Sequence, residues 1–326
     1  MDNLTHSLVG LFLARAGFRY ATPRATAIMV VAANIPDLDI VSWLGGGEAY
    51  LRYHRHITHS LIAAPLMALL AVALVRFIGR REVRWLNAWL IALLAVASHL
   101  VLDLTNSYGI RLLLPFSGRW FHLDITPVID LTLWAILLLG VAAPFLVRLV
   151  GSEIGERRGS SGNDAGNAGW AVIALLLFSA YDYTRSVLHD QATALMDAHI
   201  YNGLAPRRVG AFPEQNPLLW TGVAELSDAF ITMPLDLRGS FHPADEQTWR
   251  KPPRTPAVEA ALQTAPFERL LEFVQWPLWD VEPGRVTLID LRFGTPRESF
   301  FTATATVDDR NRVVDSHFLM SPRRPR

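Results

Sequence analysis

Histidines and aspartates gather where apolar stretches begin and end, and these are the residue types that bind divalent cations. His6 lies at the start of the first apolar stretch. Asp37 and Asp39 follow Pro36 at the end of the second, in Pro36-Asp37-Leu38-Asp39. His54, His56 and His59 lead into the third, His99 and Asp103 close the fourth, and His122, Asp124 and Asp130 lead into the fifth. His99 and Asp103 are four residues apart, so a helix projects both from one face, a common way to offer two ligands to one cation. Asp37 and Asp39 flank one residue after a proline, which suits an extended turn with both carboxylates free to reach a cation. Leu4-Thr5-His6-Ser7-Leu8 echoes Ile57-Thr58-His59-Ser60-Leu61, and in each the Thr is placed to cap a helix beside its His. Taken singly, His56 and His122 read as interfacial residues, and His99 with Asp103 could be a buried structural pair. Taken together, five helix ends supply one constellation, which points to a metal site. His and carboxylate ligands suit Zn²⁺, with Mn²⁺ or Fe²⁺ of related chemistry. The number of candidates exceeds one tetrahedral set and suggests about two or three cations.

The elements that must position these residues are membrane segments. A span needs roughly 20 apolar residues. His59 to Ile78, Trp85 to Leu104, Val128 to Val150 and Ala168 to about Leu188 satisfy this, and Pro144 is tolerable inside the third of them. Leu4 to Phe18 is short, and Ala25 to Leu44 is broken by Pro36 and two carboxylates; both are expected as short helices sheltered by the others, or as dips into one leaflet. The expectation is thus a mainly α chain: a polytopic helical membrane bundle of about six segments over residues 1–188, followed by a small soluble α+β domain over 189–326.

Arginines set the orientation. Arg15, Arg19, Arg24, Arg76, Arg80, Arg81, Arg84, Arg148, Arg157 and Arg158 lie in one set of loops, against Arg52, Arg55, Arg111 and Arg119 in the other. The first set is expected in the cytoplasm, with the His/Asp constellation and the C-terminal domain on the outward, periplasmic side of a bacterial inner membrane. The stretch Gly159 to Gly169 reads as a flexible cytoplasmic loop. The short stretch before Leu4 to Phe18 is acidic, with Asp2, and lacks a basic residue, so no cleavable signal is expected.

Composition closes off other classes. The 326 residues carry 30 basic and 30 acidic side chains, so no polybasic nucleic-acid surface is expected. There is no cysteine, which removes disulfides and thiolate metal sites.

Thr5-His6-Ser7, Pro36-Asp37-Leu38-Asp39, the run from His54 to Leu61, Ser98-His99-Leu100-Val101-Leu102-Asp103 and Asn106-Ser107-Tyr108-Gly109 together resemble the membrane-bound metal-dependent hydrolases of the YdjM-like group, also described as LexA-regulated inner-membrane proteins. The resemblance covers roughly residues 1 to 150. It implies a distant likeness to zinc-dependent phospholipase C and the P1-type nucleases, helical enzymes whose His and Asp side chains hold zinc and cleave phosphoesters. By that likeness His6, Asp37, Asp39, His54, His59, His99 and Asp103 fall on metal-ligand positions, with Asp130 a weaker match. His56 departs from the family, which has Gly there.

Residues 190 to 326 read as α+β: strands over Leu218–Leu226, Ala229–Leu235, Val286–Phe293, Glu298–Val307 and Val313–Met320, the last two a hairpin, and a helical stretch over Pro256–Trp276 divided at Pro266. Trp220, Trp249, Trp276 and Trp279 read as core or membrane-interface anchors rather than a ligand cage.

The functional expectation is a metal-dependent membrane hydrolase acting on a lipid or lipid-linked phosphoester, with water activated by the cation and Asp37 or Asp39 as general base or bridging ligand. The alternatives are a non-enzymatic membrane protein with a structural or sensory metal site and a partner-binding outer domain, and an ion or proton transporter.

Overall fold

The computed structural model describes residues 1–153, 162–239, 241, 245–296 and 298–320. In chain order the helices are α1 (Asn3–Leu13), α2 (Ala25–Ala32), α3 (Gly47–Tyr53), α4 (Ala64–Gly79), α5 (Trp85–Thr105), α6 (Leu131–Glu153), α7 (Gly162–Ala198), α8 (Pro256–Leu262) and α9 (Ala265–Phe273). The strands are β1 (Arg208–Pro213), β2 (Leu219–Glu225), β3 (Ala229–Asp236), β4 (Gln247–Arg250), β5 (Pro277–Glu282), β6 (Arg285–Asp290), β7 (Phe301–Val307) and β8 (Val313–Met320). Two compact units result: Met1–Asp39 with Arg55–Val187, and Ile40–His54 with Leu188–Arg326.

In the first unit, α4 shows why the bundle suits a lipid environment. It buries the small residues Ala64, Ala68 and Ala71 with Val72 and Val75, and exposes Leu66, Leu69, Leu70, Leu74, Phe77 and Ile78. Water would force the opposite choice; hydrocarbon permits it, and small side chains inside let backbones approach. Gly10 of α1 sits so close to α2 that a Cβ there would lie 2.9 Å from both Ala33 Cβ and the Met29 carbonyl. Met29, Ala32, Ala68, Ala92 and Ala95 build one core, and Phe12, Leu102, Leu137 and Ala174 join α1, α5, α6 and α7 in another.

Trp85–Thr105 and Asn167–Ala198 are long and apolar enough to cross a membrane, and up to four spans result if the bent pairs Ala25–Ala32 with Ile35–Gly45 and Gly47–His59 with Ala64–Gly79 each count as one. The remaining expected segments are shorter: α1 has 11 residues, and the apolar part of α6 is Leu131–Val147. Three local expectations need correction. Residues 162–169, read as loop, are helical in α7 despite three glycines, as the first turns of a helix that runs without a break into the apolar stretch; residues 159–161 lie outside the described part. Asp37 and Asp39 sit in a 3-10 helix, Ile35–Gly45, rather than an extended turn. Thr5 does not cap α1: Asp2 does, accepting from the Leu4 and Thr5 amides at 3.0 and 3.1 Å, and the Thr5 hydroxyl donates to Asp2 at 2.6 Å.

The second unit contains two four-stranded antiparallel sheets, in the orders β1-β2-β3-β4 and β5-β6-β7-β8. Expected strands at β2, β3, β6, β7 and β8 are present, and β7 pairs with β8 as a hairpin. The Val286–Phe293 strand stops at Asp290, where a 3-10 turn, Leu291–Phe293, begins. The helical stretch splits into α8 and α9, each with a proline in its first turn. β1, β4 and β5 were not expected; all are short and polar or proline-flanked. Trp220 and Trp276 are core residues, the latter packed among Phe212, Phe230, Leu278 and Ile289. α3 packs with α9 and β8.

Candidate metal centre

Four donor residues converge in the first unit: Asp37 from the 3-10 helix, His59 from the short turn before α4, and His99 and Asp103 from the last turns of α5. The helical repeat brings His99 and Asp103 to one face, and His99 Nε2 lies 3.3 Å from Asp103 Oδ2. His59 Nε2 lies 3.1 Å from His99 Nε2, 3.3 Å from Asp37 Oδ1 and 3.2 Å from Asp103 Oδ2. His99 Nε2 to Asp37 Oδ1 is 3.7 Å. Donors bound to one tetrahedral cation at about 2.0–2.1 Å stand about 3.3 Å apart. These five separations are close to what five of the six edges of such a tetrahedron require, and all four donor atoms lie within 4.8 Å of one another. His59, His99 and Asp103 are fully buried, and Asp37 is 7% exposed.

Tautomers strengthen the fit. His99 Nδ1 is 2.7 Å from the Ala33 carbonyl, which only accepts, so Nδ1 carries the proton and Nε2 of the neutral ring offers its lone pair inward. His59 Nδ1 faces Asp39 Oδ2 at 3.2 Å, and that carboxylate orients the ring in the same sense. Two imidazole lone pairs 3.1 Å apart repel unless a proton or a cation lies between them. A divalent cation meets both, and the two carboxylates balance its charge. Among the described residues this group could hold a metal; which metal is not fixed by the donors.

The other expected ligands occupy different places. Asp39 stands behind His59, where its Oδ2 also accepts from the Arg55 amide at 2.9 Å and from the Thr58 hydroxyl at 2.6 Å. Thr58 thus anchors the His59 turn through Asp39 and does not cap α4. His6 of α1 stacks on His99, with ring centroids 3.9 Å apart, and its Nε2 is 3.4 Å from Asp103 Oδ1. Both ring nitrogens of His6 are buried without a hydrogen bond. His54 belongs to the second unit and stacks on Tyr50, with centroids 4.3 Å apart. Asp130 is not part of the four-donor group: Oδ1 caps α6 through the Thr132 and Leu133 amides, and Oδ2 accepts from the Tyr181 hydroxyl at 2.9 Å. His122 pairs with Asp124 at 2.8 Å.

Arg55 is the residue the sequence did not single out. It is buried, with Nη2 at 2.9 Å from Asp103 Oδ1 and Nη1 at 3.1 Å from Asn106 Oδ1. Its only sequence signal was position, an arginine inside a run of histidines.

Residues 1–188 match the family model described as YdjM inner membrane protein. The chain belongs to this family. The chain is 31% identical over 138 residues to the uncharacterized protein YfhP of Bacillus subtilis (strain 168), covering 40% of this chain and 42% of that one. It is 33% identical over 124 residues to the inner membrane protein YbcI of Escherichia coli (strain K12), covering 36% of this chain and 69% of that one. The match thus spans less than half of the Bacillus protein. No solved structure matches the chain. A YdjM-family inner membrane protein with a buried His/Asp cluster able to hold a metal is the description these findings carry. The C-terminal sheets lie beyond the family match.

Proposed function

We propose that this protein is a metal-dependent membrane hydrolase that cleaves a lipid or lipid-linked phosphoester. The observation that carries the reading is the buried His59/His99/Asp37/Asp103 group, with the Nε2 atoms of both imidazoles turned inward, 3.1 Å apart. Zn²⁺ is the ion we assign to this nitrogen and oxygen set, with Mn²⁺ and Fe²⁺ next in suitability. A bound divalent cation supplies Lewis acidity, which polarises a phosphoryl oxygen and activates water near neutral pH. His59, His99 and Asp103 form the buried platform that holds it. Asp37 is the least buried of the four, 7% exposed where the others are fully buried, which suits its carboxylate to accept a proton. Asp39 keeps His59 in the tautomer the site needs. His6 is the ligand we assign to any further cation within the first unit, on its motif position.

In this reading residues 1–188 form the membrane domain, with about six segments of which the short ones are sheltered by the longer. Residues 189–326 form an outward-facing soluble domain. The site then opens on the outer face of the inner membrane, where the bilayer supplies the substrate, and nucleic acid has no part. The arginine distribution supports that orientation.

One observation favours a second reading. Three of the four donors are fully buried, and a closed four-ligand site is the usual form of a structural or sensory metal. Release of phosphate or headgroup from phospholipids in mixed micelles separates the two. The hydrolase reading expects turnover that Asp37→Asn removes while the metal stays bound. A fully loaded protein that turns over no phosphoester would leave the structural or sensory role.

A further inference from the structure

We propose that Arg55 is a positioning residue that keeps Asp103 a single-oxygen donor and so sets the coordination number of the centre. The inference rests on the metal reading above. A carboxylate beside a cation can bind through one oxygen or two, and nothing in an aspartate alone decides between them. Here the two oxygens of Asp103 have different neighbours. Oδ2 faces the cluster, 3.2 Å from His59 Nε2 and 3.3 Å from His99 Nε2, and has no hydrogen-bond donor of its own. Oδ1 faces away. It meets Arg55 Nη2 at 2.9 Å and the α-amino group of Met1, with His6 Nε2 at 3.4 Å. A guanidinium that holds one oxygen leaves the other alone to serve as ligand.

The arginine is itself fixed from several sides, so it can do this. Nη1 donates to Asn106 Oδ1 at 3.1 Å and to the Gly109 carbonyl at 3.4 Å, and Nη2 reaches the Met1 carbonyl at 3.4 Å. The Tyr108 ring lies under the guanidinium, 4.9 Å from its centroid. Asn106 is locked in turn, because the same Oδ1 accepts from the Tyr108 and Gly109 amides. Arg55 also adopts a left-handed backbone, with φ of 55°, a conformation that is unfavourable for a non-glycine residue and persists only where its surroundings impose it. That backbone turns the Arg55 amide onto Asp39 Oδ2, the carboxylate behind His59. One residue thus holds the outer side of one ligand and the support of another. Burial against Tyr108 and Asn106 leaves this guanidinium to the ligand shell, not to the substrate.

Cobalt(II) tests this in the detergent-purified full-length protein. Its visible d–d bands are intense in four-coordinate sites and several-fold weaker in five- or six-coordinate ones. Wild type is expected to give intense bands. Arg55→Met and Arg55→Gln remove the guanidinium from Asp103 Oδ1 and leave it the Met1 amino group and His6 alone; if the guanidinium is what holds that oxygen, each is expected to bind cobalt with bands several-fold weaker. Arg55→Lys keeps a charge and a donor for the single contact to Oδ1 and is expected to restore the wild-type spectrum. Bands of wild-type intensity in both neutral variants would overturn the inference while leaving the metal centre intact. Weak bands in Arg55→Lys as well would show that charge at Oδ1 is not what matters and would overturn it too. If neither neutral variant folds, as judged by gel filtration, Arg55 is a structural residue and the positioning role falls. If wild type binds no cobalt, the metal reading itself has failed.

Discussion

At the residue scale, the candidate site divides into donors that converge and residues that hold them. His99, Asp103 and the pairing between them were legible because helical spacing of four residues fixes a common face. His59 and Asp37 were legible as members of one constellation, from their place at helix ends and the family resemblance, but no local rule states which of the eight candidates meet at the end of α5. Asp39 and Asp37 looked equivalent in sequence; the 3-10 geometry separates them, sending Asp37 to the donors and Asp39 to His59 Nδ1. Removing an orienting partner of a ligating His typically costs about 10–100-fold in metal affinity. Asp39→Ala is therefore expected to weaken zinc by about that factor in chelator competition, with the fold intact; unchanged affinity would remove Asp39 from the centre. Asp130→Ala should behave in the opposite way. It loses a helix cap and the Tyr181 contact, which costs about 1–2 kcal/mol of stability, while metal content stays at the wild-type level. Loss of metal in that variant would mean that Asp130 is a ligand after all.

Elements were legible to the extent that their signal was local. α5 appears almost where an uninterrupted apolar run placed it, and the β7–β8 hairpin follows from alternation around the polar turn at Asp308. β1, β4 and β5 were missed because their pairing, not their composition, makes them strands. The close approach of helices was also invisible, since glycine signals nothing until its neighbour is known. A Cβ at Gly140 of α6 would lie 2.7 Å from Ala174 Cβ of α7 and 3.0 Å from the Phe12 ring. Gly140→Val is expected to cost about 1–3 kcal/mol in a denaturant titration, in line with overpacking elsewhere. Gly118→Ala, with open space around it, should be neutral. In the second unit, partial burial pushes the Glu225 carboxyl up, but the hydrogen bond from Lys251 and the charges of Lys251 and Arg208 outweigh it and hold the carboxyl below its usual range. A depressed folded-state value gives stability that is present above the unfolded carboxylate value and lost as pH falls through the folded one. Lys251→Met should therefore destabilise the chain at neutral pH and lose that difference in acid; a deficit that persists in acid would show that the ion pair is not its source.

At the scale of the whole molecule, the sequence divides into an apolar half that the YdjM family shares and a β-rich half that lies beyond the family match. The arginine asymmetry predicts that the second half faces outward. The absence of cysteine makes this simple to test, because a single Asp309→Cys in the exposed β7–β8 turn is the only thiol. Labelling by a membrane-impermeant maleimide in intact spheroplasts is expected; labelling only after lysis would reverse the topology. The claim on which the residue, element and whole-molecule readings converge is that the His/Asp cluster holds a divalent cation. Metal analysis by inductively coupled plasma mass spectrometry, on detergent-purified wild type beside a His59→Ala/His99→Ala double variant, tests it most directly. Zinc, manganese or iron is expected at one or more equivalents in wild type and near none in the variant. Wild-type protein that carries no metal even after reconstitution, or a variant that carries as much as wild type, would contradict it.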